Sequence, residues 1–307
     1  MADKKYTIGI DLGGTNLKIG LLNRDFVLKD KHILNTRIFS KKEELIAAIA
    51  EASEKIISAN GLRRSDISGL GIGVPGPVNT DEGIVYFFPN IPGWKNVNLK
   101  KILEKKSGFR VCIDNDANLM ALAEHRRGAA RNSRNAVCLT LGTGVGGGII
   151  IENRLFRGSS FVAGEIGHMP LNENGPRCNC GGIACLESYV GNNKIMDLAR
   201  NIFHQDSSLE HISSLARKGD QRAIHVWQYT GRHIGLALAG IVNLLNPDCI
   251  VIGGGVADAG PVLFKSIRDT VKKRAMPVQA KLVKIVKAEL GNNAGMIGAG
   301  LLVRESF

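Results

Sequence analysis

The 307-residue chain lacks several features that would point to other classes of protein. No apolar run approaches the ~20 residues needed to span a bilayer. The opening Met1-Ala2-Asp3-Lys4-Lys5 leads into a strand pattern and not into a secretory leader. These absences predict a cytoplasmic protein with no membrane partner. Aromatic residues are scarce at 5%, but a hydrophobic content of 44% still supports a substantial core. The net charge is +12 and the pI about 9.5, yet Lys and Arg are spread along the chain. Their densest stretch, 265–287, reads as the solvated outer face of a helix followed by a strand, so no nucleic-acid partner is expected. Of six cysteines, Cys112, Cys138 and Cys249 lie in apolar strand patterns and read as buried thiols, while the other three cluster at 178–185. A reducing setting fits them all.

Glycine is in excess, with 37 residues, many of them clustered directly after apolar runs, which is turn chemistry. Strand patterns at Tyr6–Ile10 and Leu17–Leu22 flank Gly13-Gly14. Val27–Asn35 is a possible third strand. Ser40-Lys41-Lys42-Glu43 is a capping box for a helix to about Asn60. Leu70–Val74, Gly83–Phe88 and Phe109–Ile113 read as strands, and Asn98 caps a helix, Leu99–Lys106. A similar run begins near Asn135: strand Ala136–Leu141, a glycine turn, and strand Gly148–Asn153. Helices are expected at Asn192–Phe203, over much of Ile212–Leu245, at Pro261–Ala275 and at Ala294–Val303, with strands at Cys249–Ile252 and Lys281–Glu289. The two halves rhyme, which predicts a duplicated α/β unit with mixed sheets and helices on their faces.

Each motif has a plain structural alternative. Asp11-Leu12-Gly13-Gly14-Thr15-Asn16 is either an ordinary Gly-Gly hairpin or a turn whose N–H groups cradle phosphate. In the second case Asp11 orients hydrated Mg²⁺ and Thr15 donates to phosphate. Gly142-x-Gly144-x-x-Gly147 and Gly71-x-Gly73-x-x-Gly76 match a dinucleotide fingerprint, but that fingerprint must open a helix. Here Ile149-Ile150-Ile151 and Pro77 follow instead, so NAD is not expected. A phosphate hairpin at Leu141–Gly148, including Gly142, Thr143 and Gly144, explains the first better. Gly253-Gly254-Gly255 either holds nucleotide near a helix start or is a flexible connection. His168, Cys178, Cys180 and Cys185 are either a set of free thiols with a histidine nearby or, as one imidazole and three thiolates, a filled set suited to structural Zn²⁺. Glu165 and Glu187 bracket that set, either as sugar acceptors or as surface carboxylates. Asp114-Asn115-Asp116-Ala117-Asn118 would by itself be a crowded helix N-cap. Its company of phosphate-type turns turns it into a candidate for a base that aims a hydroxyl at ATP.

Taken in order, these motifs resemble the ROK family of sugar kinases, of the actin/hexokinase-like ATPase superfamily. They are Asp11–Asn16, Gly73–Val78, Pro89-Asn90-Ile91-Pro92-Gly93-Trp94, Asn115–Asn118, Leu141–Gly148, Ala163–His168, Cys178-x-Cys180-Gly181-x-x-x-Cys185-x-Glu187 and Gly253–Gly255. The match spans nearly the whole chain and looks most like bacterial ATP-dependent glucokinases. The resemblance implies ribonuclease H-like duplicated units in two domains with a cleft between them. The expected division is 1–120 and 121–292, with a C-terminal helix, 293–307, packing back on the first. It implies ATP with Mg²⁺, a structural Zn²⁺, a hexose substrate and a homodimer. The catalytic base matches Asp116. Sugar contacts match Gly76, Asn90, Asn115, Glu165, His168 and Glu187, and the zinc ligands match His168, Cys178, Cys180 and Cys185. Phosphate contacts fall at Asp11, Gly13, Gly14, Thr15, Asn16, Gly142, Thr143, Gly144, Gly254 and Gly255. One departure is Ala184, where the family often has Gly, a strain if that position needs φ > 0.

The rivals are an N-acetylmannosamine or N-acetylglucosamine kinase, a sugar-sensing repressor and a chaperone-type ATPase. A repressor needs a DNA-binding domain ahead of Asp11, where ten residues leave no room for one. The sugar-type carboxylates and the zinc loop argue against the chaperone-type ATPase.

Overall fold

The computed structural model describes residues 5–88 and 93–307. Two five-stranded sheets repeat one topology. In the first, β1 (Tyr6–Leu12), β2 (Asn16–Asn23) and β3 (Leu28–Asn35) form an antiparallel meander. To this β4 (Ile67–Val74) and β8 (Val111–Asn115) add in parallel, giving the order β3-β2-β1-β4-β8. In sequence between β4 and β8, the chain forms a small separate three-stranded sheet of β5 (Val78–Asn79), β6 (Ile84–Phe87) and β7 (Lys95–Asn98). In the second, β9 (Ala136–Leu141), β10 (Val145–Ile151) and β11 (Arg154–Phe156) form the meander, and β12 (Cys249–Gly253) and β13 (Lys284–Lys287) add in parallel as β11-β10-β9-β12-β13. The duplicated α/β architecture is therefore present strand for strand.

The helices are α1 (Lys42–Ala59), α2 (Leu99–Ser107), α3 (Asp116–Arg127), α4 (Glu187–Val190), α5 (Asn192–Phe203), α6 (Leu209–Arg217), α7 (Gln221–Leu245), α8 (Pro261–Arg274), α9 (Pro277–Leu282) and α10 (Ala294–Ser306). Several boundaries differ from the sequence pattern for local reasons. The cap of α1 uses Glu44 and not Glu43: the Ser40 N–H and Oγ–H both donate to Glu44 Oε2, at 3.1 and 3.3 Å. The helical stretch 212–245 is two helices. Asp220 Oδ1 accepts from the N–H groups of Arg222 and Ala223 and so starts α7 afresh. Pro277 opens α9 inside what reads as the approach to a strand, which shortens that strand to β13. The strand expected at Phe109–Ile113 runs two residues later, so Asp114 and Asn115 belong to it.

The chain forms two compact units. The first takes the described residues up to Ala123, with Arg157–Ala163 and Asn292–Phe307; the second takes Glu124–Phe156 and Gly164–Gly291. The first core is mostly aliphatic, with Ile8, Ile10, Leu12, Ile19, Leu45, Ile49 and Ile72 fully buried. Each such side chain contributes about 1.5–3 kcal/mol by leaving water. Helix α10 lies on β1 and β4 with its backbone against the sheet, because Gly71 carries no Cβ; one there would sit inside the Ala299 carbonyl. The second core packs Leu139, Ile250 and Ile252 against Val226, Trp227, Ile234 and Leu263 from α7 and α8. Among the described residues, no helix is long and apolar enough to cross a membrane.

Candidate active site and metal centre

In the first unit, β1, β4 and β8 run parallel, so their carboxyl ends share one edge, where open α/β sheets place ligands. The register sets Asp11 opposite Gly73, Gly73 opposite Asp114, and Val74 opposite Asn115. The Asp11–Asn16 turn, Gly76 and the Asp114–Asp116 corner thus come to one end of one sheet from three separate parts of the chain. The turn is braced. Gly13 N–H donates to the Asn16 carbonyl at 2.9 Å, Thr36 N–H to the Thr15 carbonyl at 2.8 Å, and Thr36 Oγ–H to the Gly13 carbonyl at 2.9 Å. Thr15 and Asn16 stay exposed. Asp11 is paired with Lys18, Nζ to Oδ2 3.0 Å.

Asp116 is the first residue of α3 and is half-buried. Its Oδ1 accepts from Ala117 N–H at 2.8 Å. Asn115 caps the helix: its Oδ1 accepts from Ala117 N–H at 2.9 Å and Asn118 N–H at 3.2 Å, and its Nδ2 donates to the Gly76 carbonyl at 3.1 Å. That bond ties the corner to the turn after β4. Asp114 is fully buried, where a carboxylate persists only with charge-assisted partners. Its Oδ1 accepts from Asn115 N–H at 2.7 Å and Asn118 Nδ2 at 3.0 Å, and its Oδ2 accepts from the guanidinium of Arg157. Arg157 is the residue that the sequence pattern misses. It stands in an irregular stretch with no periodicity, 43 positions away from Asp114. Asn90 lies outside the described residues.

In the second unit, the Leu141–Gly148 segment is a hairpin. Gly142 N–H donates to the Gly144 carbonyl at 2.9 Å, and Asn192 N–H at the start of α5 donates to the Gly142 carbonyl at 2.9 Å. Gly147 lies inside β10 and Gly76 is followed by β5, so neither glycine triplet opens a helix. β12 pairs in parallel with β9, setting Gly253 opposite Thr140. Gly254, at φ 82°, then passes against Leu141; a Cβ there would strike the Leu141 backbone. Gly254 and Gly255 therefore stand beside the hairpin, at the carboxyl ends of the two parallel strands. Glu187, from α4, turns its Oε2 to the Val145 N–H at 2.8 Å. One of its oxygens thus fastens the glycine hairpin.

His168, Cys178, Cys180 and Cys185 come together with all ligand atoms within 4.8 Å of one another. The loop folds back through antiparallel bridges Arg177↔Ile183 and Pro170↔Cys185, and Gly181 N–H donates to the Cys178 carbonyl at 3.0 Å. Cys180 and Cys185 sulfurs are 3.8 Å apart, and Cys178 Sγ is 3.7 Å from His168 Nδ1. A tetrahedron with metal–sulfur bonds of about 2.3 Å has sulfur–sulfur edges of about 3.8 Å and sulfur–nitrogen edges of about 3.6 Å. The donor set and its spacing fit a four-coordinate metal. The thiols also divide. Burial raises Cys178, but hydrogen bonds from Cys180, Ser188 and His168 outweigh it and bring it to about 7. Cys185 is pushed up to about 12 by burial and by Cys180 and Cys178. With Nδ1 facing the sulfurs, His168 Nε2 points away, 3.9 Å from Glu165 Oε2. Ala184 does take φ 55°, a strained conformation costing about 1–2 kcal/mol, and its buried methyl returns about 0.8 kcal/mol of that.

The chain is 37% identical to a glucokinase of Halalkalibacterium halodurans, over 99% of this chain and 96% of that one. It is 31% identical to a xylose repressor of Bacillus spizizenii, over 98% of this chain and 78% of that protein. Among solved structures, a ROK family glucokinase from Streptomyces griseus in complex with glucose and AMPPNP superposes with a TM-score of 0.83 at 31% identity, covering 98% of this chain and 99% of that one. The ROK family model matches residues 7–306, a span that takes in both glycine turns, the Asp116 corner and the Cys/His loop. The chain belongs to the ROK family.

Proposed function

We propose that this protein transfers the γ-phosphoryl group of ATP to the 6-hydroxyl of glucose, with Asp116 as the general base. The observation that carries this reading is the Asp116 corner: a half-buried carboxylate at the start of α3, held by the Asn115 cap, at the same sheet end as the Asp11–Asn16 turn. The glucokinase relatives supply the substrate class. The O6–H bond breaks with its proton passing to the Asp116 carboxylate, the O6–Pγ bond forms, and the bond from Pγ to the β,γ-bridging oxygen breaks to release ADP. The transition state is largely dissociative, so positioning and charge do most of the work. Asp11 holds the water shell of the Mg²⁺ that travels with ATP. The N–H groups and hydroxyls of Gly13, Gly14, Thr15, Asn16, Gly142, Thr143, Gly144, Gly254 and Gly255 receive the phosphates. Asn115, Glu165, His168 and Glu187, with backbone at Gly76 and with Asn90, hold the sugar hydroxyls; Glu187 has one oxygen left for this after serving Val145.

The Cys/His set would hold a structural Zn²⁺, which when bound would close the loop and fix the His168 tautomer. Nδ1 faces the thiolates, so Nε2–H is left as a directed donor for a sugar oxygen. Three thiols this close also favour a reducing, cytoplasmic setting for a protein taken here to act as a homodimer. A coupled ADP-release assay over glucose, mannose, fructose, N-acetylglucosamine and N-acetylmannosamine tests the reading. Glucose should give the highest kcat/KM. A higher value for either N-acetylhexosamine would replace it, and no turnover on any sugar would favour a regulator.

A further inference from the structure

We infer that Arg157 is a positioning residue for phosphoryl transfer, acting on Asn115 and Asp116 through the buried carboxylate of Asp114. The inference rests on the reading of Asp116 as the base. The Asp114 side chain is 1% exposed, so its charge stands only on its partners. They approach from two sides. Arg157 gives Nε at 2.8 Å and Nη2 at 2.7 Å to Oδ2. Oδ1 takes the Asn115 N–H and the Asn118 amide. Asn115, held this way, spends its own side chain on Ala117, Asn118 and Gly76. Asp116 therefore sits between residues that are pinned at positions 115, 117 and 118, and the pin traces back to a carboxylate held in place by Arg157.

Without Arg157, the buried Asp114 Oδ2 loses its charged partner, so the carboxylate either draws in water or turns away from the corner. Both outcomes loosen the backbone that aims Asp116. Arg157 also opens a closed loop in which the Ala163 N–H returns to the Arg157 carbonyl at 3.0 Å. That whole loop, Arg157–Ala163, belongs to the first unit, and the chain runs directly from it into Gly164, Glu165 and His168. The anchor of the segment leading to the sugar motif is thus the group that pairs with Asp114 at the corner. A buried ion pair can instead serve stability alone, and the two roles separate kinetically.

Full-length Arg157→Ala, Arg157→Lys and Asp114→Asn, with Arg157→Ala/Asp114→Asn, are compared in the glucose assay well below each variant's unfolding midpoint, beside the wild type. Arg157→Ala should lower kcat about 30- to 100-fold while KM for ATP stays within about two-fold, the loss expected for a base displaced by ~1 Å. Arg157→Lys should recover about ten-fold of this, because an ammonium restores the charge but not the two-bond fork. Asp114→Asn should cost less than about three-fold more in the Arg157→Ala background. An Arg157→Ala protein with wild-type kcat and only a lower Tm would overturn the inference, as would kcat and KM for ATP changing in step. Should the alanine variant not fold, Arg157→Lys carries the test: kcat about five-fold below wild type at unchanged KM for ATP supports it, and full kcat overturns it. A wild type inactive on every sugar would remove the kinase reading and this inference with it, whereas an active wild type with an unaffected Arg157→Ala removes this inference alone.

Discussion

At the residue scale the proposed chemistry turns on Asp116, whose backbone is locked by the Asn115 cap and whose carboxylate has one oxygen on the Ala117 N–H. Asp116→Asn keeps that shape and removes the proposed base. It should lower kcat by about 10²–10⁴-fold, and glucose binding measured by calorimetry should change by less than about three-fold. Near-normal turnover would reassign the base. Residue identity was legible here because Asp-Asn-Asp-Ala-Asn at a strand-to-helix junction crowds more acids and amides than one N-cap needs. Burial sets Asp114 apart from the other two: it is sealed and ion-paired, whereas Asn115 and Asp116 are half-buried and Asn115 caps the helix. No local spacing shows that Asp114 needs an arginine.

At the scale of the element, the Cys/His loop is irregular, and its backbone bonds and two bridges bring the four potential ligands together. Cys180→Ala should copurify with less than about a tenth of the wild-type zinc, measured by mass spectrometry. It should also melt roughly 5–10 °C lower. Because His168 presents Nδ1 to the thiols and Nε2 to the other side, loss of the metal should raise KM for glucose by about ten-fold or more. A metal-free variant with unchanged KM would detach His168 from the sugar. The same loop leads into α4, where Glu187 grips Val145 at 2.8 Å, so the loop and the glycine hairpin are mechanically joined. The donor set was legible from residue type and spacing. The grip on Val145 was not, because it links positions 42 apart that share no periodic pattern.

At the scale of the whole molecule, stability should depend on pH through His233, buried in α7 and stacked on Tyr189 at 4.6 Å. Burial pulls its pKa below the usual value. The Tyr229 carbonyl opposes that shift and the Arg232 charge adds to it. A histidine whose folded pKa is depressed contributes its full stability above the unfolded value of about 6.5, and loses it as pH falls through the folded one. The melting temperature should therefore fall between about pH 7 and about pH 5, and less steeply in His233→Phe. Equal slopes in the two proteins would place the acid sensitivity elsewhere. By itself the sequence determined the strand patterns, both glycine hairpins, the duplicated order of elements, the candidate base and the metal-ligand set. Each of these is written in residue chemistry over fewer than about twenty positions, or repeats along the chain. Tertiary structure decided the rest. It set Asp11, Gly73 and Asp114 across three parallel strands, laid Gly254 against Leu141, closed α10 onto Gly71 and brought Arg157 to Asp114. These pairings join residues 40 to more than 200 positions apart, and only packing a complete sheet selects among the many partners that each local pattern allows.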